Sequence, residues 1–254
     1  MNARNYIVKH PPCLTNPSNN GRAKNSGYGW SASNWSGYAI TGKRGAYSSI
    51  AGDWFVPFVK PSCKPTYSSA WIGIDGFRNS NLIQTGTGHE YVNGAPRYYA
   101  WWEILPEAET IIPFPVSPGD HMRGLIQKIC RNKWSITLRN LTRKWKFHTI
   151  QNYSGPQNSA EWILEAPQVD GSIAKLARLS PTRFIDCRVN AKNPRLKLSS
   201  GGIMIQNNVT LSIPSSPNRC GNAFIVKRAN SKTRSLVHSR SPQDLRFMKK
   251  SHHN

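Results

Sequence analysis

Short runs rich in β-branched and aromatic residues follow one another through this 254-residue chain, and turn residues separate them. Turn signals such as those at 92–94, 117–120 and 154–156 interrupt the runs at short intervals. Closely spaced strands of this kind are typical of an antiparallel sandwich or barrel. The predicted strands are 35–40, 48–56, 70–74, 82–84, 97–105, 121–129, 134–141, 144–150, 161–165, 183–189, 202–206 and 209–213.

A helical pattern is predicted only over Gly171–Leu179, so an α/β sheet with crossover helices is not expected. We interpret the chain as one all-β domain over residues 31–224. Residues 1–30 are predicted to be a leader or flexible segment, because they are rich in Asn, Pro, Ser and Gly. They contain no apolar stretch of a secretory signal, and no apolar run in the chain approaches the roughly 20 residues of a membrane span.

Basic residues outnumber acidic ones by 34 to 12, which gives a formal net charge of +22. The densest basic block is the end of the chain, residues 225–254, which we predict to be a disordered tail. In the body the basic residues are scattered and accompany no nucleic-acid-binding motif. Nucleic acid is therefore not expected as the main ligand, although a salt-sensitive interaction through the tail stays open as an alternative.

Metal and cofactor chemistry has no motif in this sequence. The seven histidines include no pair at chelating spacing, and the five cysteines form no Cys-x-x-Cys. No nucleophile elbow, P-loop or dinucleotide-binding fingerprint occurs. We therefore expect no metal and no cofactor. The odd number of cysteines leaves open one or two disulfides, or free thiols throughout.

Rare carboxylates stand at the ends of aromatic strands. In 161–165 the strand alternation places Glu161, Ile163 and Glu165 on one face, and Trp162 and Leu164 on the other. The run 98–105 repeats the arrangement, and Asp75 ends the run 71–75 in the same way. Three strands thus present faces that combine indole rings with a carboxylate.

Each of these polar residues also has a structural explanation when it is taken alone. Asp75 could hold a turn, Glu103 could pair with an arginine, and Gln84 could bond to the backbone. Together these residues could catalyse a reaction. Metal-free hydrolysis of an amide needs a base for water, a donor for the oxyanion and an acid for the leaving nitrogen, and one carboxylate with one carboxamide can serve all three roles.

Five ordered motifs carry a resemblance to a known family. They are Asn-Trp-Ser-Gly-Tyr-Ala (34–39), Ala-Trp-Ile-Gly-Ile-Asp-Gly (70–76), Leu-Ile-Gln-Thr-Gly (82–86), Tyr-Ala-Trp-Trp-Glu-Ile-Leu-Pro (99–106) and Ala-Glu-Trp-Ile-Leu-Glu (160–165). In this order they resemble the glutamic peptidases called eqolisins, over about 33–213. The resemblance implies a concanavalin A-like or jelly-roll sandwich of two long antiparallel sheets, with a substrate cleft on the concave face. It also implies a secreted, monomeric endopeptidase that acts on polypeptides at acid pH.

The resemblance assigns roles to individual residues. Glu165 matches the general base that activates water, and Gln84 matches the partner that stabilises the tetrahedral oxyanion. The positions of Trp35, Trp71, Asp75 and Glu103 match residues that line the cleft and orient the pair. Glu161 matches an acid to which we assign a structural role.

Departures from the family pattern leave an alternative open. Gly88 stands where fungal members carry an Asp, with Glu90 as a candidate replacement, and Phe77-Arg78-Asn79 lacks their cysteine. The surrounding positive charge is expected to lower the pKa of Glu165. The alternative function is a non-catalytic β-sandwich binding module, either an inactive relative or a binder of carbohydrate or peptide.

Overall fold

The computed structural model describes residues 4–15 and 23–229, and this part of the chain is almost entirely β-structure. Its strands are β1 Val8–Lys9, β2 Trp30–Ala32, β3 Trp35–Thr41, β4 Ser49–Phe55, β5 Thr66–Ile74, β6 Ile83–Val92, β7 Ala95–Ile104, β8 Thr110–Ile112, β9 His121–Cys130, β10 Lys133–Asn140, β11 Trp145–Asn152, β12 Ser159–Glu165, β13 Gln168–Val169, β14 Ser172–Ile173, β15 Thr182–Val189, β16 Gly201–Gln206, β17 Val209–Pro214 and β18 Phe224–Arg228, with a 3₁₀ helix at Leu198–Ser200 before β16.

The strands form one long hydrogen-bonded path that folds back on itself. Its order is β11-β10-β9-β4-β15-β18-β17-β16-β3-β12-β5-β6-β7-β8, and β2 adds to β16 in parallel. The half that contains β4, β9 and β10 packs against the half that contains β5, β6 and β12. This arrangement confirms the predicted antiparallel β-sandwich. A small second sheet of β1, β13 and β14 joins the N-terminal segment to the body.

Large apolar side chains fill the space between the two layers. Trp54, Trp162 and Ile72 are fully buried there. The layers can approach because Gly52 and Gly124 face each other in register on β4 and β9. A Cβ at Gly52 would lie 2.7 Å from the Trp162 ring, so glycine at this position makes room for the indole.

The strand predictions are confirmed in position, and β6 is the main difference in length. The sequence predicts a strand over 82–84, whereas β6 runs over Ile83–Val92. Glycine is a poor strand former, so Gly86 and Gly88 hide this strand from local pattern analysis. Tertiary packing explains both glycines. Added Cβ atoms would lie 2.9 Å from the Trp101 ring at Gly86 and 2.0 Å from the Tyr99 ring at Gly88.

The predicted helix over Gly171–Leu179 is wrong. Ser172–Ile173 forms β14, and the following residues are extended, with bridges from Leu176 to Tyr67 and from Leu179 to Val59. Leu176 is buried beside Ala166 and Met204. The apolar residues of this stretch therefore serve as side-chain contacts for an extended segment, and tertiary packing overrides the weak helical pattern.

The ends of the chain depart from the expected boundaries. The β18 strand, Phe224–Arg228, pairs with β15 and β17, so the body continues past residue 224. The rest of the predicted basic tail, from residue 230, lies outside the described residues. Residues 4–15 of the expected flexible leader lie against the body instead of projecting from it, as shown below. All five cysteines are unpaired thiols. In the described ranges, no helix has the length and apolar character that crossing a bilayer requires.

We expect the Trp162→Ala substitution to lower the free energy of unfolding by about 3–5 kcal/mol, because it empties the fully buried centre of the sandwich. The substitution also removes the indole hydrogen bond to Ala51 O at 2.9 Å. Urea unfolding followed by fluorescence measures the change. Ile150→Ala is the matched control, since Ile150 is 52% exposed on β11 and should change stability by under ~0.5 kcal/mol. Equal losses in the two variants would contradict this account of the core.

Candidate active site

The outer face of the layer that contains β3, β12, β5, β6 and β7 collects the predicted site residues. Strand register aligns them: Glu165 lies opposite Trp35 on one side and Ser69 on the other. Gln84 lies opposite Glu103 on β7. Because side chains two apart share a face, Trp71 and Trp101 join the same surface. We call this surface the cleft face.

Indole groups surround the Glu165 carboxylate. Trp35 Nε1 donates to Oε1 at 3.2 Å, and Trp71 Nε1 donates to Oε2 at 2.8 Å. The two indole rings meet edge to face at 4.8 Å. Glu165 is completely buried. The structure therefore brings together three of the predicted site residues, the Glu165 carboxylate and the two tryptophans that donate to it.

Gln84 and Glu103 form the second half of the site. Gln84 Nε2 donates to Glu103 Oε2, and both side chains are fully buried. The Gln84 Oε1 atom is buried with no hydrogen-bond partner among residues 4–15 and 23–229. The amide nitrogen of Gln84 is thus already hydrogen-bonded, whereas its amide oxygen is available to accept from another polar group.

The N-terminal segment, residues 4–15, crosses this site and places His10 in it. His10 Nδ1 is 2.8 Å from Glu165 Oε2, and Nε2 is 2.8 Å from Glu109 Oε2. The His10 carbonyl oxygen accepts from Gln84 Nε2 at 2.9 Å, and its backbone N–H lies 3.2 Å from both oxygens of Glu103. The imidazole is fully buried and stacks on Trp101 at 3.8 Å. Both predicted catalytic residues are therefore engaged by one residue of the same chain.

Anchors on either side of His10 hold the segment. Arg4 donates to Glu90 at 2.9 Å and to Glu109, and its guanidinium lies 3.8 Å from the centre of the Tyr99 ring. Beyond His10, Asn34 accepts from the backbone N–H of Leu14 at 2.9 Å and donates to the carbonyl of Pro12 at 3.0 Å. The backbone N–H of Cys13 donates to Gly76 O at 2.9 Å.

Burial dominates the electrostatics of the carboxylates. Burial raises the pKa of Glu165, and the His10 charge and the indole donors offset the rise only in part. The expectation that positive charge lowers this pKa is therefore wrong in net direction. Burial likewise raises the pKa of Glu103 to about 8, against the lowering effect of His10.

His10 shows the opposite balance. Burial alone would lower its pKa, but the charges of Glu165 and Glu103 and the hydrogen bonds to Glu109 and Glu165 raise the pKa to about 10. The carboxylates on either side of the imidazole therefore favour its protonated, cationic form. Pairing of this kind makes a buried charge tolerable.

Three further acids, Asp75, Glu90 and Glu161, lie on or beside the cleft face without contacting Glu165 or Gln84. Asp75 accepts from Tyr153 Oη at 2.6 Å and from the backbone N–H groups of Gln157 and Asn158, so it holds the turn before β12 and does not touch Glu165 or Gln84. Glu90 binds Arg4, Tyr6 and Tyr99 and does not extend the Gln84–Glu103 contact. Glu161 lies fully buried four residues before Glu165.

Sequence reasoning missed three residues of the site: His10, Glu109 and Trp101 as the ring under His10. His10 stands in a segment that reads as a flexible leader, and Glu109 follows a turn. The only sequence signal for Glu109 is that it is one of the chain's few acids. The signal for Trp101 is its place on the aromatic face of its strand. No group of three or more His, Cys, Asp or Glu side chains with the geometry of a metal site occurs within the described ranges.

Comparison with known proteins identifies the family. The model of the Peptidase A4 family matches residues 33–240. A search of curated proteins finds no match for this chain.

Solved structures of glutamic peptidases share the fold. Scytalido-glutamic peptidase with a transition state analog inhibitor has 23% identity and a TM-score of 0.65, over 78% of this chain and 98% of that chain. SCP-B, a member of the eqolisin family in complex with the tripeptide Ala-Ile-His, has 23% identity and a TM-score of 0.61 over the same shares. Aspergilloglutamic peptidase from Aspergillus niger has 24% identity and a TM-score of 0.57, over 65% of this chain and 99% of that chain.

We expect the Glu161→Gln substitution to make the protein's stability less dependent on pH. Burial, with a contribution from the charge of Asp75, raises the pKa of Glu161 well above its usual value. A raised folded pKa gives stability that is fully present below the unfolded value and is lost as pH rises through the folded value. Glutamine stays neutral, so the variant should gain stability relative to wild type as pH increases from 4 to 8.

Urea unfolding at several pH values measures this difference. Glu107→Gln is the control because Glu107 is exposed, and its stability should follow that of the wild type across the range. Parallel curves for wild type and Glu161→Gln would show that Glu161 is not held in its neutral form.

Proposed function

Because this chain belongs to the Peptidase A4 family, we propose that it is an endopeptidase that hydrolyses peptide bonds with Glu165 and Gln84 as its catalytic pair. The family and the shared fold establish a glutamic-type peptidase, and the roles of the two residues are our proposal. Polypeptides are the proposed substrates, bound as extended chains along the cleft face. The resemblance to secreted, acid-active family members supports a monomeric enzyme that works outside the cell at acid pH.

One observation carries the proposal: a peptide carbonyl already sits on Gln84 beside Glu165. The His10 carbonyl accepts from Gln84 Nε2 at 2.9 Å, and Glu165 lies within hydrogen-bond distance of the same residue. A scissile carbonyl in this position would have an amide donor on its oxygen, and Glu165, which contacts the side chain of the same residue, would serve as the base for the water that attacks its carbon. These are the two groups that metal-free amide hydrolysis requires.

The reaction follows from those positions. Ionised Glu165 takes a proton from a water molecule as the water oxygen bonds to the carbonyl carbon. The carbonyl oxygen becomes an oxyanion, which Gln84 Nε2 stabilises by donating a hydrogen bond. Glu165 then returns the proton to the leaving nitrogen, the carbon–nitrogen bond breaks, and the products are an acid and an amine. Trp35 and Trp71 hold the carboxylate, and Glu103 orients the Gln84 amide.

The raised pKa of Glu165 suits this double role. A carboxylate whose pKa is raised by burial is a stronger base when ionised, and it retains the proton long enough to pass it on. Its working range is therefore limited on the acid side by protonation of Glu165. The His10 imidazole takes the position beside Glu165 that the attacking water needs, so residues 4–15 must leave before a substrate can react.

We expect Glu165→Gln and Gln84→Ala each to lower kcat by at least about 100-fold, because one removes the base and the other the oxyanion donor. The assay is cleavage of denatured casein and a quenched peptide library from pH 2 to 7, with pepstatin and EDTA present. Glu107→Gln should cleave like wild type, since Glu107 lies outside the site.

Correctly folded wild type that cleaves nothing under these conditions, together with an inactive His10→Ala variant, would leave a binding relative as the function. Activity that survives Glu165→Gln would assign the base to another residue.

We expect His10→Ala to raise activity at least tenfold near pH 7 and to have much less effect at acid pH. The titratable groups that face His10 are Glu165, Glu103 and Glu109, with Arg4 and Lys9 nearby on the segment. Breaking a buried charged pair costs about 3–5 kcal/mol, so the segment should lose most of its hold when the imidazole is removed.

The pH dependence follows from the raised pKa of Glu165. As pH falls through the raised pKa of Glu165, the carboxylate is protonated and no longer pairs with the His10 cation, so the wild-type segment is released at acid pH and held at neutral pH. Once the segment has left, the carboxyl group is open to water, which relieves the burial that raises its pKa and lets Glu165 ionise as the base. Initial rates of peptide cleavage measure the effect, with His148→Ala on β11 as the control. Equal rates for wild type and His10→Ala at pH 7 would show that the segment does not block the site.

A further inference from the structure

A pocket lies on the cleft face beside Ala39, the residue of β3 that pairs with Glu161 on β12. It has a volume of about 320 Å³, and the rings of Trp30 and Phe77 form its apolar walls. Arg78, Arg195 and Lys197 line its rim. Along β3, Ala39 of this pocket is four residues from Trp35, which corresponds to about 13 Å of strand. The pocket is therefore separate from the catalytic pair but lies on the same surface.

The three basic side chains have no carboxylate partner within the described residues. Each is exposed, and none takes part in an ion pair in that part of the chain. The Arg78 guanidinium lies over the Phe77 ring, 5.4 Å from its centre. Three cations around an apolar concavity present a positive field to whatever enters it.

The path of residues 4–15 shows which side of a substrate would reach this pocket. The segment runs from Arg4, past the catalytic pair at His10, to Cys13, whose N–H donates to Gly76 O directly before Phe77 and Arg78. Thr15 then bridges to Ala32 in β2, the strand that supplies Trp30. A chain bound in this direction places its residues after the attacked carbonyl at the pocket. Three to four extended residues cover about 10–13 Å, which matches the distance along β3.

The two ends of the cleft carry opposite charge. Before His10, the segment's Arg4 meets Glu90 and Glu109, which are almost completely buried. After His10, the cleft presents Arg78, Arg195 and Lys197. The acidic groups on one side of the catalytic pair favour a basic substrate residue before the cleaved bond. The basic pocket on the other side favours an acidic substrate residue after it.

We propose that the pocket of Trp30, Phe77, Arg78, Arg195 and Lys197 is a substrate subsite that binds an acidic side chain at the third or fourth residue after the cleaved bond. This inference rests on the proposed peptidase function, because it assigns specificity to the same cleft. Arg78 and Arg195 suit a carboxylate because a guanidinium donates two parallel hydrogen bonds to it. The aromatic walls accommodate the methylene groups of Glu or the short stem of Asp.

The test compares full-length proteins on quenched peptides that differ only in Glu, Gln or Lys at the third and fourth positions after the bond. The His10→Ala chain is used at pH 5.5, where a substrate Glu is ionised and the segment no longer holds the site. We expect kcat/KM for the Glu peptide to exceed that for the Lys peptide by about five- to tenfold, as several exposed ion pairs would give. The preference should shrink in 0.5 M salt.

Substitution then locates the effect. Arg195→Gln with Lys197→Gln should reduce the Glu-over-Lys preference to under about twofold. Lys133→Gln with Lys146→Gln removes the same net charge from exposed positions on β10 and β11, in the other layer of the sandwich, and should keep the preference. Fluorescence anisotropy of labelled peptides with the same three residues measures binding without cleavage.

The outcomes separate the two proposals. Cleavage with no preference among Glu, Gln and Lys would overturn the subsite while the peptidase stands. A preference that both double variants abolish would assign the effect to overall charge and overturn the subsite as well. Stronger binding of the Glu peptide that Arg195→Gln with Lys197→Gln removes, without any cleavage, would support the subsite and contradict the catalytic pair.

Discussion

The burial of the Glu165 carboxylate is the constraint on which the rest of the site depends. An ionised carboxylate taken out of water costs several kcal/mol unless donors and an opposite charge replace the solvent. Trp35 and Trp71 supply indole donors from the strands on either side of β12, and His10 supplies the charge. Removal of His10 therefore leaves the buried carboxylate without its counter-charge, and any function of Glu165 must account for this loss.

The aromatic side chains of the site also shape the sheet beneath. Rings that lie over a neighbouring strand need space there, and a side chain on that strand would fill it. Gly86 and Gly88 on β6 provide this space under Trp101 and Tyr99. Gly88, where the family resemblance led us to expect an Asp, thus makes room for the Tyr99 ring on which Arg4 stacks.

Charge is distributed unevenly in this strongly basic molecule. Five of its 12 acidic residues, Glu90, Glu103, Glu109, Glu161 and Glu165, lie buried on or beside the cleft face. Although the whole chain is basic, these buried carboxylates make the interior beside Glu165 and Gln84 acidic, and Arg78, Arg195 and Lys197 make the pocket beyond it basic. A basic segment of the same chain fills the acidic part, whereas the basic pocket has no acidic partner within the described residues. This contrast supports the view that the two ends bind different chemical groups.

Local pattern was sufficient for much of the architecture. Sequence pattern placed twelve of the eighteen strands in the described part of the chain and missed β1, β2, β8, β13, β14 and β18, none of which is longer than five residues. Alternation separated Glu161 and Glu165 from Trp162 and Leu164, and the ordered motifs pointed to Glu165 and Gln84, both of which contact His10. Local pattern failed where residues far apart in the sequence decide the result. Glycines concealed β6, the stretch over 171–179 is extended because of its packing, and His10 meets Glu165 across 155 positions. The direction of the Glu165 pKa shift also needed the tertiary structure, because composition shows the charge of a chain but only packing shows which groups lose their water.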